Sequence, residues 1–215
     1  MTVPPDHLRR WLTVREGVDW HAVRPVEIPT AGPIVPARDG AVHDIRTRDH
    51  ARSPDRAAGL LDALDLARAD ATAGRVLTFD LLSAWQCRVL GVAHAPFRRG
   101  PAYAKGGRER YGIGPDLRDR FDTCLAQNGD TSLPLSSRAA RAYLDVCFFH
   151  PFDDGNGRSA FLALDFVLAR SGIVLDQVAP VRALRRWADD PEGALALADL
   201  VSVLTAHTLR RCAHG

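Results

Sequence analysis

Several features that mark secreted, metal-stabilised or membrane-spanning proteins are scarce or missing in this sequence. The 215 residues include four cysteines, and no two of them form a C-x-x-C pair. This spacing favours free thiols in a reducing cytoplasm over disulfides or a zinc site. No run of about 18 apolar residues occurs, so no transmembrane helix is expected. The first residues also lack the basic and apolar regions of a secretory signal. We therefore expect a cytoplasmic protein.

An excess of one charge sign is also missing. The net charge of +2 indicates neither a nucleic-acid partner nor a membrane surface. Methionine occurs once and lysine once, at Lys105, whereas alanine, arginine, leucine and aspartate are abundant. This bias is typical of bacterial genomes rich in G and C. The length is sufficient for one sizeable core with room for a small appendage.

The first 56 residues are the least regular part of the chain. Prolines exclude a long helix there, at positions 25, 29, 33 and 36. We predict only a short helix over residues 7–16 and two extended segments, 26–28 and 34–35. Residues 1–56 are interpreted as an irregular N-terminal arm, either a solvated segment around the core or a lid that binds a partner. Residues 57–215 are predicted to form one helical domain.

Helical periodicity dominates the rest of the chain and predicts a mainly α fold. The predicted helices cover approximately residues 54–73, 79–90 (between a Thr78 cap and Gly91), 116–127, 136–149, 159–171, 181–188 and 191–211. The helix over 159–171 is apolar on almost every side, so we expect it to be the buried central helix. Asp165 within it is expected to pair with an arginine or a histidine. Trp187 is interpreted as a core residue.

A glycine-rich segment, residues 97–113, interrupts the helices. Gly106 and Gly107 separate two short segments, which predicts a small β-hairpin. The segment carries five basic residues, at positions 98, 99, 105, 108 and 110. They are interpreted either as a surface that attracts phosphate or as a solvated face.

The stretch from His150 to Arg158 joins two predicted helices and concentrates reactive side chains. Gly155 and Gly157 permit positive φ and close backbone approach, so together they can form an anion-binding nest at the start of a helix. Asn156 adds an amide donor, and Arg158 adds a guanidinium suited to phosphate oxygens. These residues indicate a phosphate-binding site.

Two further residues of this stretch suggest a reaction. Asp154 would repel a phosphate unless a cation neutralised it, and a carboxylate beside a phosphate site is the usual arrangement for holding Mg²⁺. His150 has the side chain best suited to act as a general base near neutral pH. The alternative is a plain loop with a helix cap, because Asp, Asn and Gly are ordinary turn residues.

The stretch resembles the signature of the Fic (filamentation induced by cAMP) family, HPFx(D/E)GNGRxxR, at every position from 150 to 158. The resemblance implies a Fic-like helical core with a flap at about 97–113, a hairpin that clamps an extended stretch of target by strand pairing. It implies Mg²⁺-dependent transfer of a nucleoside monophosphate, most often AMP from ATP, to a hydroxyl side chain. By this resemblance His150 would deprotonate the hydroxyl, and Asp154 would bind Mg²⁺. The α- and β-phosphates would be bound by Gly155, Asn156 and Gly157, with help from Arg158. Phe152 would anchor the loop.

One position departs from the family signature. Phe161 stands where the family has its final arginine, which usually reaches the terminal phosphate of ATP. The departure widens the range of donors that has to be considered. The alternatives are a phosphotransferase or phosphocholine transferase, transfer to a small-molecule hydroxyl, and a catalytically silent Fic-like binding module.

The resemblance also bears on partners and regulation. The expected partners are a nucleotide donor, ATP or another NTP, and a protein or small-molecule acceptor, with no nucleic acid and no membrane. Many Fic proteins carry an inhibitory helix, (S/T)xxxE(G/N), whose glutamate pairs with the second arginine. The nearest match, Glu16-Gly17, has Leu12 in place of Ser or Thr, and Phe161 removes the pairing partner, so inhibition by that route is not expected. A separate antitoxin chain and a homo-oligomer stay open.

Overall fold

The computed structural model describes residues 5–29 and 32–213, which are mostly helical with one small hairpin. The helices are α1 (His7–Gly17), α2 (Gly40–Asp44), α3 (Pro54–Thr72), α4 (Phe79–Leu90), α5 (Leu117–Ala126), α6 (Leu135–Phe149), α7 (Asn156–Ala169), α8 (Ala179–Ala183) and α9 (Pro191–Ala213). The strands are β1 (Ala102–Ala104) and β2 (Glu109–Tyr111), antiparallel, with Tyr103 opposite Arg110. The prediction of a mainly α fold with a hairpin is confirmed.

The central helix is α7. It packs against α6, α3 and α4, and α6 packs in turn against α9. Phe161, Leu162 and Phe166 on α7 are inaccessible to solvent. Because apolar residues occur at nearly every position, no face of α7 favours water. The prediction of a buried central helix is confirmed, and the burial fixes the position of the N-terminus of α7.

The ends of α4 and the hairpin turn follow signals in the sequence. The Thr78 hydroxyl accepts a hydrogen bond from the backbone N–H of Leu81 at the start of α4, and Gly91 ends the helix at a φ of 67°. The hairpin turn places Gly106 and Gly107 at φ values of 69° and 83°, which a side chain would disfavour. Both predictions are therefore confirmed.

The predicted irregular arm contains a helical segment. It consists of α2 followed directly by a π-helical turn, Ile45–Asp49. The Asp39 carboxylate starts this segment by accepting hydrogen bonds from the backbone N–H groups of Ala41 and Val42. The four prolines precede the segment, so their exclusion of a long helix did not apply to it.

The helix predicted over residues 181–188 is wrong beyond Ala183. Leu184 is extended and 55% exposed. The physical reason is that residues 184–190 carry charges at four positions and offer no apolar stripe to bury. Trp187 is 36% exposed, so its assignment to the core is also wrong. Its ring lies 4.4 Å from the ammonium of Lys105, a cation–π contact.

Helix α1 attaches the arm to the domain. The buried Trp11 indole N–H donates to Asp145 on α6 at 3.0 Å, and Nε of Arg15 donates to the same carboxylate at 2.7 Å. Such a buried ion pair holds geometry more than it adds net stability. Residues 1–4 and 30–31 of the predicted arm lie outside the described residues, and the boundary at residue 56 stays a prediction.

Asp165, within the apolar central helix, pairs with Arg68 of α3. Two parallel hydrogen bonds of 2.8 and 2.9 Å join the guanidinium to this carboxylate, and Arg68 also contacts Asp39. Burial alone would lower the pKa of Arg68, but the two carboxylates outweigh it and raise that pKa. The expected pairing is confirmed, and it ties α7, α3 and the start of α2 together.

Helix α9 is long and apolar enough, by length and composition, to cross a membrane, with a mean hydropathy of 1.2 over its most apolar window. Core helices of globular proteins pass the same test. Leu197, Val201 and Leu204 of α9 are buried, and the helix packs against α6. The absence of a membrane partner stays a prediction.

Candidate active site

A pocket of about 910 Å³ opens where α6 ends and α7 begins. Strand β1 lines it from one direction, and the π-helical turn, the start of α3 and α8 line it from others. All the predicted site residues line this pocket: His150, Asp154, Gly155, Asn156, Gly157 and Arg158. The structure therefore brings the predicted base, the carboxylate and the phosphate-binding residues to one place.

His150 ends α6 in the left-handed conformation, with a φ of 50°. This conformation is uncommon for a residue with a side chain, and such backbone strain concentrates at functional sites. The imidazole Nδ1 lies 3.2 Å from the carbonyl oxygen of Cys147. The ring stacks on Tyr111 of β2, with centroids 5.2 Å apart and an angle of 18°. The hydrogen bond and the stacking contact together fix the orientation of the imidazole.

The contact with Cys147 decides which nitrogen of His150 carries the proton. A carbonyl oxygen only accepts, so Nδ1 is the donor and Nε2 of the neutral ring keeps a free lone pair. Burial lowers the pKa of His150, the hydrogen bond to Cys147 opposes this, and the nearby Arg98 charge lowers it further. The lowered pKa favours the neutral imidazole at pH 7, the form that a general base requires.

The side chain of Asn156 stabilises the loop by hydrogen bonds to the loop's own backbone. Its side-chain oxygen accepts from the Phe152 N–H at 2.9 Å, and its amide nitrogen donates to the Phe152 carbonyl at 2.7 Å. Phe152 is itself buried and stacks on Phe79 at 5.4 Å. The side-chain amide that the sequence suggested as a phosphate donor is thus taken by the loop. The backbone N–H of Asn156 is the group left for an anion.

Gln86 of α4 also stabilises the loop by hydrogen bonds. This residue was not identified from the sequence. Its amide nitrogen donates to the Asp154 carbonyl at 2.6 Å, and its oxygen accepts from the Ser159 hydroxyl at 2.6 Å. A Cβ on Gly155 would lie 2.3 Å from this amide, at a φ of 79°, so only glycine fits there. The signal in the sequence was a glutamine in register with the apolar stripe of α4, four residues after Leu82.

The first turn of α7 presents backbone donors to the pocket. Within the described chain the N–H groups of Asn156 and Gly157 have no hydrogen-bond partner, as expected for the first residues of a helix. A Cβ on Gly157 would meet nothing within 4 Å, so the space beside it is open. Free N–H groups at the positive end of a helix dipole favour an anion there.

Asp154 has one carboxylate oxygen that accepts no hydrogen bond from the described residues. Its Oδ1 accepts from the Gly155 N–H at 2.6 Å, while its Oδ2 lies 3.6 Å from Arg158 and 3.7 Å from Arg56, beyond hydrogen-bond distance. A single carboxylate suits a Mg²⁺ ion whose other ligands are substrate phosphates and water. No group of three or more His, Cys, Asp or Glu residues able to hold a metal occurs in the described part of the chain. The residues therefore fit a phosphate-bound Mg²⁺ better than a resident metal.

Arg98 connects the hairpin to the backbone around His150 and was also missed from the sequence. Its buried guanidinium donates to the carbonyls of Gly100 and Gly112, at the two ends of the hairpin, and to the Phe149 carbonyl. Its backbone N–H donates to the Pro151 carbonyl at 2.8 Å. Burial lowers the pKa of Arg98 to about 10, so it stays charged near neutral pH. The sequence had indicated only a basic segment here.

Phe161 does not line the pocket, because its ring is fully buried in the core. Arginines from the arm and from α8 line the pocket instead: Arg48, Arg52, Arg56 and Arg182. The arm is therefore part of the pocket wall. The sequence interpretation had left open whether the arm was a solvated segment or a lid.

The outer edge of the hairpin lies beside the pocket. Tyr103 and Ala104 of β1 line the pocket, and β1 pairs with β2 alone in the described part of the chain. The other edge of β2 is covered, since Asp6 forms a β-bridge with Arg110. An unpaired strand edge can accept an extended peptide by strand pairing.

Comparisons with known proteins match the region of the chain that contains this pocket loop. Residues 110–168 match the model of the Fic/DOC family. The chain is 36% identical over 91 residues to the protein adenylyltransferase Fic of Drosophila virilis, a match that covers 40% of this chain and 19% of the relative. The relative from Drosophila willistoni matches at the same identity and covers 18% of its length. The match thus spans about a fifth of these curated relatives.

Solved structures show the same fold. A Fic domain-containing signaling protein from Bacteroides thetaiotaomicron has a TM-score of 0.54 at 17% identity, covering 74% of this chain and 70% of that chain. Fic-1 from C. elegans has a TM-score of 0.53 at 17% identity, covering 97% and 70%. IbpAFic2 covalently tethered to Cdc42 has a TM-score of 0.56 at 11% identity, covering 94% and 65%.

Proposed function

This chain carries a Fic/DOC family region, residues 110–168, in a Fic fold, and from that premise we propose that it transfers a nucleoside monophosphate from a nucleotide to a hydroxyl group of a protein. One observation carries the proposal. The same pocket contains a neutral imidazole with a free Nε2, at His150, and two unpartnered backbone N–H groups, at Asn156 and Gly157.

The proposed step is an in-line displacement at the α-phosphorus of the donor. Nε2 of His150 removes the proton from the acceptor hydroxyl, and the oxygen forms a bond to phosphorus. The bond from phosphorus to the bridging oxygen breaks, and pyrophosphate leaves with that electron pair. The N–H groups of Asn156 and Gly157, together with Arg158, bind the charge that develops on the phosphate oxygens.

Asp154 is the residue proposed to hold Mg²⁺ on the donor phosphates. When bound, this ion neutralises the charge of the phosphates and of the leaving pyrophosphate. Oδ2 of Asp154 supports the assignment, because within the described chain it accepts no hydrogen bond and has only long contacts with Arg158 and Arg56. Asp154→Asn keeps the size of the side chain and weakens Mg²⁺ binding, so we expect its transfer activity to need a higher Mg²⁺ concentration.

The proposed acceptor is a serine, threonine or tyrosine on an extended segment laid along β1. Support comes from the unpaired edge of β1 and from Tyr103 and Ala104, which border both this edge and the pocket. Main-chain pairing would deliver an extended peptide without reading much of its sequence. A small-molecule hydroxyl is the alternative acceptor.

Phe161 favours a second candidate, a donor other than a nucleoside triphosphate. The ring is buried, so position 161 offers nothing to a terminal phosphate. A donor such as a phosphocholine carrier would need no third phosphate contact. The presence or absence of label from nucleoside triphosphates in the following experiment separates the two candidates.

The test is transfer of label in a cell lysate with Mg²⁺ and ATP, GTP, CTP or UTP labelled at the α- or the γ-phosphate, with His150→Ala as the control. Label from the α position alone, dependent on His150, is the expected result. Label from the γ position alone would contradict nucleotidyl transfer and indicate a phosphotransferase. The absence of label from all eight nucleotides would contradict both and favour a non-nucleotide donor or a silent binding module.

A further inference from the structure

Arg182 of α8 covers the ring of Phe161 from the pocket. The guanidinium carbon lies 4.8 Å from the ring centroid, and Arg182 lines the pocket whereas Phe161 does not. A planar guanidinium stacked on an aromatic ring has a fixed orientation. Position 161 therefore contributes a platform, and the group that faces the pocket above it is a guanidinium from another helix.

Two carboxylates hold Arg182 without using all of its donors. Asp44 lies 2.5 Å and Asp49 lies 2.7 Å from the guanidinium, and both contact the same nitrogen, Nη1. Nη2 and Nε are not used by either carboxylate. Burial alone would lower the pKa of Arg182, but the two carboxylates raise it overall, so the side chain stays charged. The guanidinium is thus charged, positioned and still able to donate.

The charged side chains that line the pocket leave it net positive, with five arginines against three aspartates, a difference of two. Five arginines line it, from the arm, α7 and α8: Arg48, Arg52, Arg56, Arg158 and Arg182. Three aspartates oppose them, at positions 49, 153 and 154. Its volume of about 910 Å³ is at the upper end for small-molecule sites. This excess of positive charge in a large pocket favours an extended polyanion, such as the phosphate chain of a nucleoside triphosphate.

We propose that Arg182 binds the terminal phosphate of a nucleoside triphosphate donor through Nη2 and Nε. The first phosphates of this donor lie at the N-terminus of α7. The inference rests on the proposed function and names the donor class. Phe161 then acts as the surface on which Arg182 is held, and Asp44 and Asp49 are positioning residues for it.

The test compares ATP with ADP, because only ATP carries the third phosphate. Calorimetry with Mg²⁺ measures both dissociation constants in His150→Ala protein, which removes turnover, with and without Arg182→Met. Loss of a hydrogen bond to a charged group predicts at least about a tenfold loss of ATP affinity. ADP affinity should change by less than about threefold, since ADP does not reach Arg182.

Two further variants control for effects of the Arg182→Met change other than the loss of a phosphate contact. Arg182→Met leaves Asp44 and Asp49 unpaired, so the triple variant with Asp44→Asn and Asp49→Asn tests the same loss without stranded charges. Arg170→Met is the matched control, because Arg170 lies 6.0 Å from the Phe166 ring, does not line the pocket and should leave both affinities unchanged.

The outcomes separate this inference from the proposed function. Equal weakening of ATP and ADP, or no weakening of either, in both the single and the triple variant would overturn the role of Arg182 and leave the proposed function standing. Failure of the His150→Ala protein, with Arg182 intact, to bind either nucleotide would overturn both.

Discussion

The two sides of the pocket are built by different means. The loop side, residues 150–158 with the first turn of α7, is contiguous in sequence and held by the buried amides of Gln86 and Asn156. The arm side, residues 44–56 with Arg182, comes from distant parts of the chain and is held by ion pairs. Backbone donors on a buried helix keep their positions while the core is intact, whereas the arm side depends on charged side chains that are largely buried with their partners. We infer that the loop side fixes the chemistry and the arm side selects the donor.

The largest effect, on the free energy of unfolding, is expected from a change at Phe161, where helix α7 of the loop side contacts Arg182 of the arm side. Phe161→Arg restores the family residue in sequence but places a charge in the core beneath Arg182. We expect the free energy of unfolding to fall by about 3 kcal/mol or more, because the new charge is buried beside another of the same sign. Urea denaturation measures the loss, and ATP affinity should not rise.

The control for this change is Phe161→Leu, which keeps an apolar side chain and should cost less, about 1–2 kcal/mol. Tighter ATP binding by a stable Phe161→Arg protein would contradict the description of position 161 as a platform for Arg182.

The second-largest effect is expected when Gln86, which holds the loop side by hydrogen bonds, is replaced. Gln86→Leu keeps an apolar contact but leaves the Asp154 carbonyl and the Ser159 hydroxyl without their partner. We expect a loss of about 2 kcal/mol in stability, since buried polar groups are left unpaired, and a larger relative loss of transfer activity. Ser83→Ala on the same helix removes one hydrogen bond, to Ala95, away from the loop, and should leave the transfer rate unchanged. Equal activity losses in the two variants would contradict a specific role for Gln86.

A third prediction concerns pH. Because burial lowers the pKa of His150 below its usual 6.5, the base is neutral at pH 7, and kcat/KM should fall only as the pH drops below 6.5. Arg98 contributes to this lowering, so Arg98→Met should move the acid limb to higher pH, and Arg98→Lys should move it less. A pH profile of kcat/KM for the three proteins measures this, and an unmoved acid limb in Arg98→Met would contradict the electrostatic role.

The smallest effects are expected at the exposed arginines of the arm side. Arg52 and Arg56 are solvent-exposed, and Arg56 lies 3.7 Å from Asp154. Exposed charge contacts contribute little, so each alanine variant should weaken donor binding by about two- to fivefold, and salt should reduce the difference. Titrations at two ionic strengths measure it. A loss that is large and insensitive to salt would mean that these arginines contact the donor directly in a desolvated site.

The contrast between the two sides also explains what could be predicted from sequence. His150 to Arg158 could be interpreted because the residues are contiguous and the flanking apolar patterns fix them between two helices. Arg182 could not, because only the packing of α8 brings it onto Phe161. Gln86 and Arg98 were missed because the sequence does not show which distant backbone groups a buried polar side chain contacts. The Asn156 amide was assigned to the donor because sequence does not reveal that Phe152 occupies it.

The most direct test of the account is a paired measurement on wild-type and His150→Ala protein. Calorimetry gives the dissociation constant of MgATP, and intact mass spectrometry of acceptor proteins gives the transfer. We expect dissociation constants that agree within about threefold and transfer that is lost with His150, because the loop side binds phosphate without the imidazole. Transfer that survives in His150→Ala protein would contradict the assignment of His150 as the base.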